Sequence, residues 1–189
     1  MPLLYRGAGI GSYWYLNDAR LSGFLPHSPG ATPSRQRIMA HIASGSTASP
    51  YISFTRSFGV ARAYGIVGPA GIATADMPGY VYEIEIMDNS IVNAVDPIIE
   101  VAKGLPKPWQ SPGYQHDGGQ SFLLGVIDPK QLLGALKEAV VFPPGSHGTP
   151  RTPNLSQELE TLVRALRDAE ILVCGNVPCS LVRNRYEVF

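Results

Sequence analysis

An α+β fold closed by a C-terminal helical extension is what the sequence predicts, and three observations carry it. In "GYVYEIEIM", Val81, Glu83 and Glu85 alternate with Tyr82, Ile84 and Ile86, the period of a half-buried strand. From "LLYRG" to about residue 142, strand and turn signals recur with few long helical patterns between them. In "PNLSQELETLVRALRDAEILV", Leu155, Leu159, Leu162, Val163 and Leu166 recur at helical spacing, and Asn154 with Gln157 fits a capping box. The Pro-rich "FPPGSHGTPRTPN", residues 142 to 154, reads as the boundary, giving a core of residues 1–148 and a helical extension of residues 149–189 docked on it.

The elements follow in order. "LLYRG" is a short strand ended by Gly7, and "GIGSYWYLNDARLSGFLP" carries at least one helical turn before Gly23 and Pro26 stop it. Residues 26 to 50 are rich in Pro, Ser, Gly and Thr and read as a loop or lid, with one helix expected at "SRQRIMAHIA". "YISFT" is a strand, followed by a helix from Ser57 and a Gly/Pro-rich connection over residues 65 to 79. After the "GYVYEIEIM" strand come "SIVNAV" as a further strand, a helix over residues 97 to 104, and the long loop "LPKPWQSPGYQHDGG". "QSFLLGVI" and "EAVVFPP" close the core as strands on either side of "DPKQLLGAL".

Composition excludes several classes. Fifteen basic and fifteen acidic residues cancel, so no global field draws the chain to nucleic acid or an acidic membrane. Arg35, Arg37, Arg56 and Arg62 are the candidates for a local phosphate-binding face, against scattered surface charge as the default. Cys174 and Cys179 are too few for a disulfide scaffold and lack partners for a zinc site, so no metal is expected and both read as reduced thiols, with a local disulfide as the alternative. The N-terminus, apolar but interrupted by Arg6, shows neither signal peptide nor membrane span, so the chain is expected in the cytoplasm or as a secreted or delivered protein, with no membrane partner.

One local feature asks for a functional reading. In "YISFTRSFGVARAYG", Ser53 and Thr55 sit at alternate positions and share one strand face, where a buried strand would carry Val or Ile. Taken with "YRG", "YVYEI" and the late "LGVIDPKQLLG", in this order across residues 4 to about 142, the stretch resembles the mono-ADP-ribosyltransferases of the Arg-Ser-Glu, cholera-toxin-like class. Singly, each of these residues reads as structural; the ordered set carries the likeness.

The resemblance implies two packed, mostly antiparallel sheets around a NAD-binding cleft. It implies NAD as substrate, a transferase or glycosyltransferase activity that releases nicotinamide, and the role of a toxin or effector, with an immunity or antitoxin partner. It gives Arg6 the diphosphate or ribose hydroxyls, lets the backbone at Gly7 approach the nicotinamide amide, and makes Ser53 the residue that orients the catalytic carboxylate, with Thr55 in support. Phe58 and Tyr64 would flank the nicotinamide ring. The loop with Trp109, Tyr114, His116 and Asp117 would meet the ADP-ribose acceptor, whether protein, nucleic acid or small molecule. The motif order puts Gln120 where the family has its glutamate, with Gly118 two residues before, which argues against arginine as acceptor. Three readings of Gln120 stand: a Glu-to-Gln change of an active parent, which the motif order favours; a natural site using Asp117 or another carboxylate; or a NAD-binding module without transfer. Glu138 comes too late in the order, and a NAD glycohydrolase is the neighbouring alternative within the same chemistry.

Overall fold

The structure, a computed structural model, describes residues 3–45, 48–86, 92–103 and 157–189. Its elements are β1 (Leu3–Ala8), α1 (Tyr13–Leu16), α2 (Ala19–Ser22), α3 (Arg35–Ser44), β2 (Tyr51–Thr55), α4 (Phe58–Ile66), β3 (Val67–Gly68), β4 (Gly71–Ile72), β5 (Gly79–Glu85), β6 (Asn93–Val95), α5 (Pro97–Ala102), α6 (Gln157–Arg167), β7 (Glu170–Cys174) and β8 (Val182–Val188). Six strands form one sheet in the order β6-β7-β2-β1-β5-β8, and every neighbouring pair is antiparallel. The two-residue strands β3 and β4 make a separate small hairpin.

Local chemistry sets the element ends. Asp18, Ser34, Ser57 and Asp96 each cap a helix by accepting a backbone N–H, and Gly23 leaves α2 at φ 71, a left-handed conformation that glycine adopts without a Cβ penalty. The sheet buries both faces. On one side Leu4, Ile52, Phe54, Tyr82, Ile84, Ile171 and Val173 pack with Trp14 and Phe24 from the N-terminal connection. On the other, Tyr51 and Leu172 meet Ile38 and Met39 of α3, Val101 of α5 and Leu162 and Val163 of α6, while α4 lays Ala61 against Val81 and Val188.

The expected α+β character holds, with a correction at the C-terminus. Residues 157–167 are helical as expected, but residues 170–188 contribute β7 and β8 to the main sheet, so this stretch is part of the core rather than a helix docked on it. The reason is burial: Ile171, Leu172 and Val173 are enclosed on both faces, because β7 runs between β6 and β2. Among the described residues the only second sheet is the two-residue-strand β3–β4 hairpin, in place of the two comparable packed sheets expected. The strands expected at "QSFLLGVI" and "EAVVFPP" lie outside the described residues.

The middle of the sheet is split. β1 pairs with β5 over six positions but with β2 at one, Tyr5 opposite Thr55. Beyond that pair the two strands part, leaving Arg6 and Gly7 on one edge of an opening and Ser53 and Phe54 on the other.

Candidate functional site

Arg6 fills the opening between β1 and β2. Its Nη1 donates to the Ser53 carbonyl, and its Nε, buried, has no acceptor among the described residues. Desolvation draws the guanidinium down to about 10, with Glu170 and Tyr64 opposing, so it remains a cation at neutral pH.

A carboxylate completes the arrangement from a place the motif order did not indicate. Glu170 heads β7 directly opposite Thr55 of β2 and is 9% exposed, with the Ser53 side chain among the groups that favour its ionised form. Burial pushes its carboxyl up to about 7, with Asp168 adding to the rise and Ser53, Arg6 and Arg167 opposing it. The turn that delivers it is held tightly: Thr55 Oγ1 donates to the Asp168 carbonyl at 2.5 Å and accepts Ser57 N–H at 3.0 Å. Ala169 between them sits at φ 46, left-handed for a residue with a Cβ.

Asp168 is saturated from two sides. Arg167 donates to it twice, Nε to Oδ1 at 2.6 Å and Nη2 to Oδ2 at 2.7 Å, and the Tyr64 hydroxyl donates to Oδ2 at 2.8 Å. Burial, reinforced by the negative charge of Asp168, raises the Tyr64 phenol above its usual range, which keeps it a neutral donor. Behind Ser53 stands His41 of α3, 4% exposed, its Nε2 2.7 Å from Ser53 Oγ and its Nδ1 2.7 Å from Ser49 Oγ. Desolvation lowers His41 to about 4, with the charges of Arg6 and His27 pushing the same way, so the ring is neutral.

Two cavities meet at this point. One of about 220 Å³ lies under α4, walled by Arg6, Gly7, Ser53, Tyr64, Asp168 and Glu170. The other, about 380 Å³, opens on the far side of Arg6 and Ser53, between Trp14, His27, His41 and Tyr51. A cation, a neutral hydroxyl relay and a carboxyl that ionises near neutrality thus face a shared space with aromatic walls, a set suited to binding an anionic ligand and stabilising a developing positive charge.

The structure brings Arg6, Gly7, Ser53, Thr55 and Tyr64 together at the smaller cavity and departs from expectation at several positions. Phe58 points away: its ring packs edge-on against Tyr5 at 5.5 Å and Tyr186 at 5.6 Å and it is not among the cavity walls. The missing side chain of Gly7 serves helix packing, since a Cβ there would lie 2.2 Å from the Ala61 carbonyl oxygen of α4. Thr55 acts on the turn before Glu170 through the Asp168 carbonyl. The four arginines considered as a phosphate face have separate tasks: Arg35 bonds the Val101 carbonyl, Arg37 that of Ala48, Arg56 pairs with Asp96, and Arg62 bonds the Phe189 carbonyl. Glu83 and Glu85 lie on the outer face with Asn184, Tyr186 and Arg183. Gln120, Trp109, Tyr114, His116, Asp117, Gly118 and Glu138 lie outside the described residues.

Glu170, Asp168 and His41 escaped the sequence reading. Glu170 was legible in one respect: it heads the run "EILV", a β-branched and aliphatic stretch that can pair with "YISFT". The amphipathic pattern of α6 runs into that stretch without a Gly or Pro to separate them, and so hides it.

Among the described residues no group of three His, Cys, Asp or Glu side chains could hold a metal ion, and no helix is long and apolar enough to cross a membrane. Cys174 and Cys179 are free thiols. No family model matches the chain, and no curated protein matches it. Among solved structures it is similar to one described as "CARDS toxin, nicked", at 14% identity and a TM-score of 0.44 over 98% of this chain, which spans 25% of that toxin's length.

Proposed function

We propose that this chain cleaves the nicotinamide glycosidic bond of NAD and transfers ADP-ribose to an acceptor. The observation that carries the reading is the convergence of Arg6, Ser53 and Glu170 on the opening between β1 and β2. Arg6 keeps a buried donor, Nε, without an acceptor among the described residues, as a guanidinium reserved for a diphosphate would. When the C–N bond breaks, nicotinamide leaves with the electron pair and the ribosyl carbon becomes an oxocarbenium-like cation. Glu170, ionised above about pH 7, offers the opposing charge, and Ser53 keeps that carboxylate in register. The acceptor then attacks the ribosyl carbon and gives up its proton. Tyr64 lines the cavity in which the ring of nicotinamide would rest. The segment with Trp109, Tyr114, His116 and Asp117 is proposed to meet the acceptor, and an immunity or antitoxin partner is proposed to cover the opening.

On this reading Glu170 is the catalytic carboxylate and Gln120 needs no active parent. Nicotinamide release under saturating NAD tests it. Glu170→Gln should slow release by on the order of 10² to 10³, about 3 to 4 kcal/mol of transition-state stabilisation, with NAD affinity changed only a few-fold. Gln120→Glu should leave release within a few-fold of the parent. A large gain from Gln120→Glu, with Glu170→Gln silent, would return the carboxylate to position 120. Release without transfer to any acceptor would identify a NAD glycohydrolase.

A further inference from the structure

We infer that Tyr5, Phe58, Tyr186 and Glu83 form a docking site for an arginine side chain of a protein partner, on the sheet face that carries α4. Phe58, at the start of α4, stands nearly at right angles to both tyrosine rings, 5.5 Å from that of Tyr5 and 5.6 Å from that of Tyr186. Glu83 of β5 is in register with Tyr5 of β1 on one side and Asn184 of β8 on the other, and it accepts from the Tyr186 hydroxyl. Phe58 and Tyr186 are each 38% exposed, so the group faces solvent.

Glu83 is aimed without being neutralised. Asn184 Nδ2 donates to its Oε1 at 2.6 Å and the Tyr186 hydroxyl to its Oε2 at 3.1 Å, and both donors are uncharged. Among the described residues it has no cation partner, whereas the neighbouring Glu85 pairs with Arg183 at 2.9 Å. Each carboxylate oxygen keeps a second acceptor position beyond the one in use. An apolar group pressed onto this carboxylate would strip its water without compensation, and an anion would be repelled. A cation gains from the charge and from the ring faces together.

The chain itself shows which cation suits such a setting. On the opposite face of the same strands Arg185 lies 4.1 Å over the Tyr80 ring, Tyr80 stacks on Tyr15 at 5.2 Å, and Arg185 Nη1 donates to Asp18 Oδ2 at 3.0 Å. Successive strand residues alternate between faces, which puts Tyr80 and Arg185 on one side and Glu83 and Tyr186 on the other. Rings and a carboxylate thus hold a guanidinium on one face, and the same ingredients recur on the other. A guanidinium serves both at once, stacking its plane on a ring while its edge donates in a fork to the carboxylate. Tyr5 also walls the smaller cavity with Arg6 and Glu170, so an arginine held here brings its protein beside that cavity. The docking site is independent of the proposed function; under that reading the arginine anchors the acceptor protein while another of its residues is modified.

Proton NMR of the full chain, titrated with a short blocked peptide of glycines around one arginine, tests the site. The ring resonances of Tyr5, Phe58 and Tyr186 should shift together and saturate with a Kd on the order of 1 mM. Citrulline in place of the arginine keeps the planar shape without the charge and should weaken binding about fivefold or more, and lysine, which lacks the fork, should also bind less tightly. Equal binding of any two of these peptides, or no saturation of the ring shifts by about 10 mM arginine peptide, overturns the inference. Phe58→Leu should weaken arginine binding about two- to fivefold, and Glu83→Gln about fivefold. Where Phe58→Leu disturbs α4, Glu83→Gln at its solvent-facing strand position decides, and unchanged affinity in that variant counts against the site. Peptide binding that appears only after Arg151→Gln would make an arginine of this chain the occupant and overturn the assignment to a partner. Saturable, arginine-selective binding by a chain that releases no nicotinamide would leave the docking site standing and the enzymatic reading refuted.

Discussion

Arg6 joins the two edges of the opening, and its guanidinium is the one group that walls both cavities together with Ser53. Replacing it with Ala removes a charge-assisted donor, worth about 1.5 to 3 kcal/mol, so NAD affinity should fall by roughly ten- to a hundredfold, and calorimetry showing unchanged affinity would take Arg6 out of the site. On the proposed function Ser53 acts on the carboxylate instead of the ligand, so Ser53→Ala should lower turnover more than it weakens NAD binding; an affinity loss as large as the rate loss would give Ser53 a ligand contact in place of the positioning task. Both residues were legible because their chemistry contradicts their setting: an Arg at a strand end beside Gly, and hydroxyls on a strand that is otherwise apolar. His41 was not, because a histidine within "SRQRIMAHIA" reads as an ordinary helix residue until the fold brings Ser49 and Ser53 to its two nitrogens.

At the scale of elements, helix α4 lies close enough to the sheet that glycine is required in the strands beneath it. A Cβ on Gly7 would lie 2.2 Å from the Ala61 carbonyl oxygen, and one on Gly79 would lie 1.8 Å from that of Gly65, in each case against backbone that cannot rotate aside. Gly7→Ala should therefore lift α4, cost about 1 to 3 kcal/mol, and loosen the Tyr64 bond to Asp168. A thermal midpoint equal to the parent's would show that the helix can shift without cost. The strands of the first half announced themselves by alternation, as in β5, or by β-branched composition, as in β2. β7 did not, since a strand buried on both faces has no period of two and cannot be told from a continuing buried helix by pattern alone. What ends α6 is the left-handed Ala169, a conformation that Gly would have signalled and Ala conceals.

Across the whole molecule, two buried groups oppose each other in their response to pH. Glu170 holds its proton up to about 7 in the folded chain against 4.5 for a free carboxyl, so the native state binds more protons than the unfolded chain in that window and stability falls as pH rises through it. His41 is lowered from 6.5 to about 4, so the native state binds fewer protons there and stability rises with pH. The two slopes offset each other between about pH 4.5 and 6.5. Urea denaturation across this range should separate them: relative to the parent, Glu170→Gln should gain a rising slope and His41→Gln a falling one, and a common sign would refute the opposition. The sheet order has a further consequence, for the life of the chain on the ribosome. β1 and β2 carry Arg6 and Ser53 and emerge early, whereas β7, which must lie between β6 and β2, emerges more than a hundred residues after β2. A nascent chain thus holds the cation and the hydroxyl long before Glu170 stands opposite them, so the proposed chemistry of this opening cannot begin until β7 has joined the sheet.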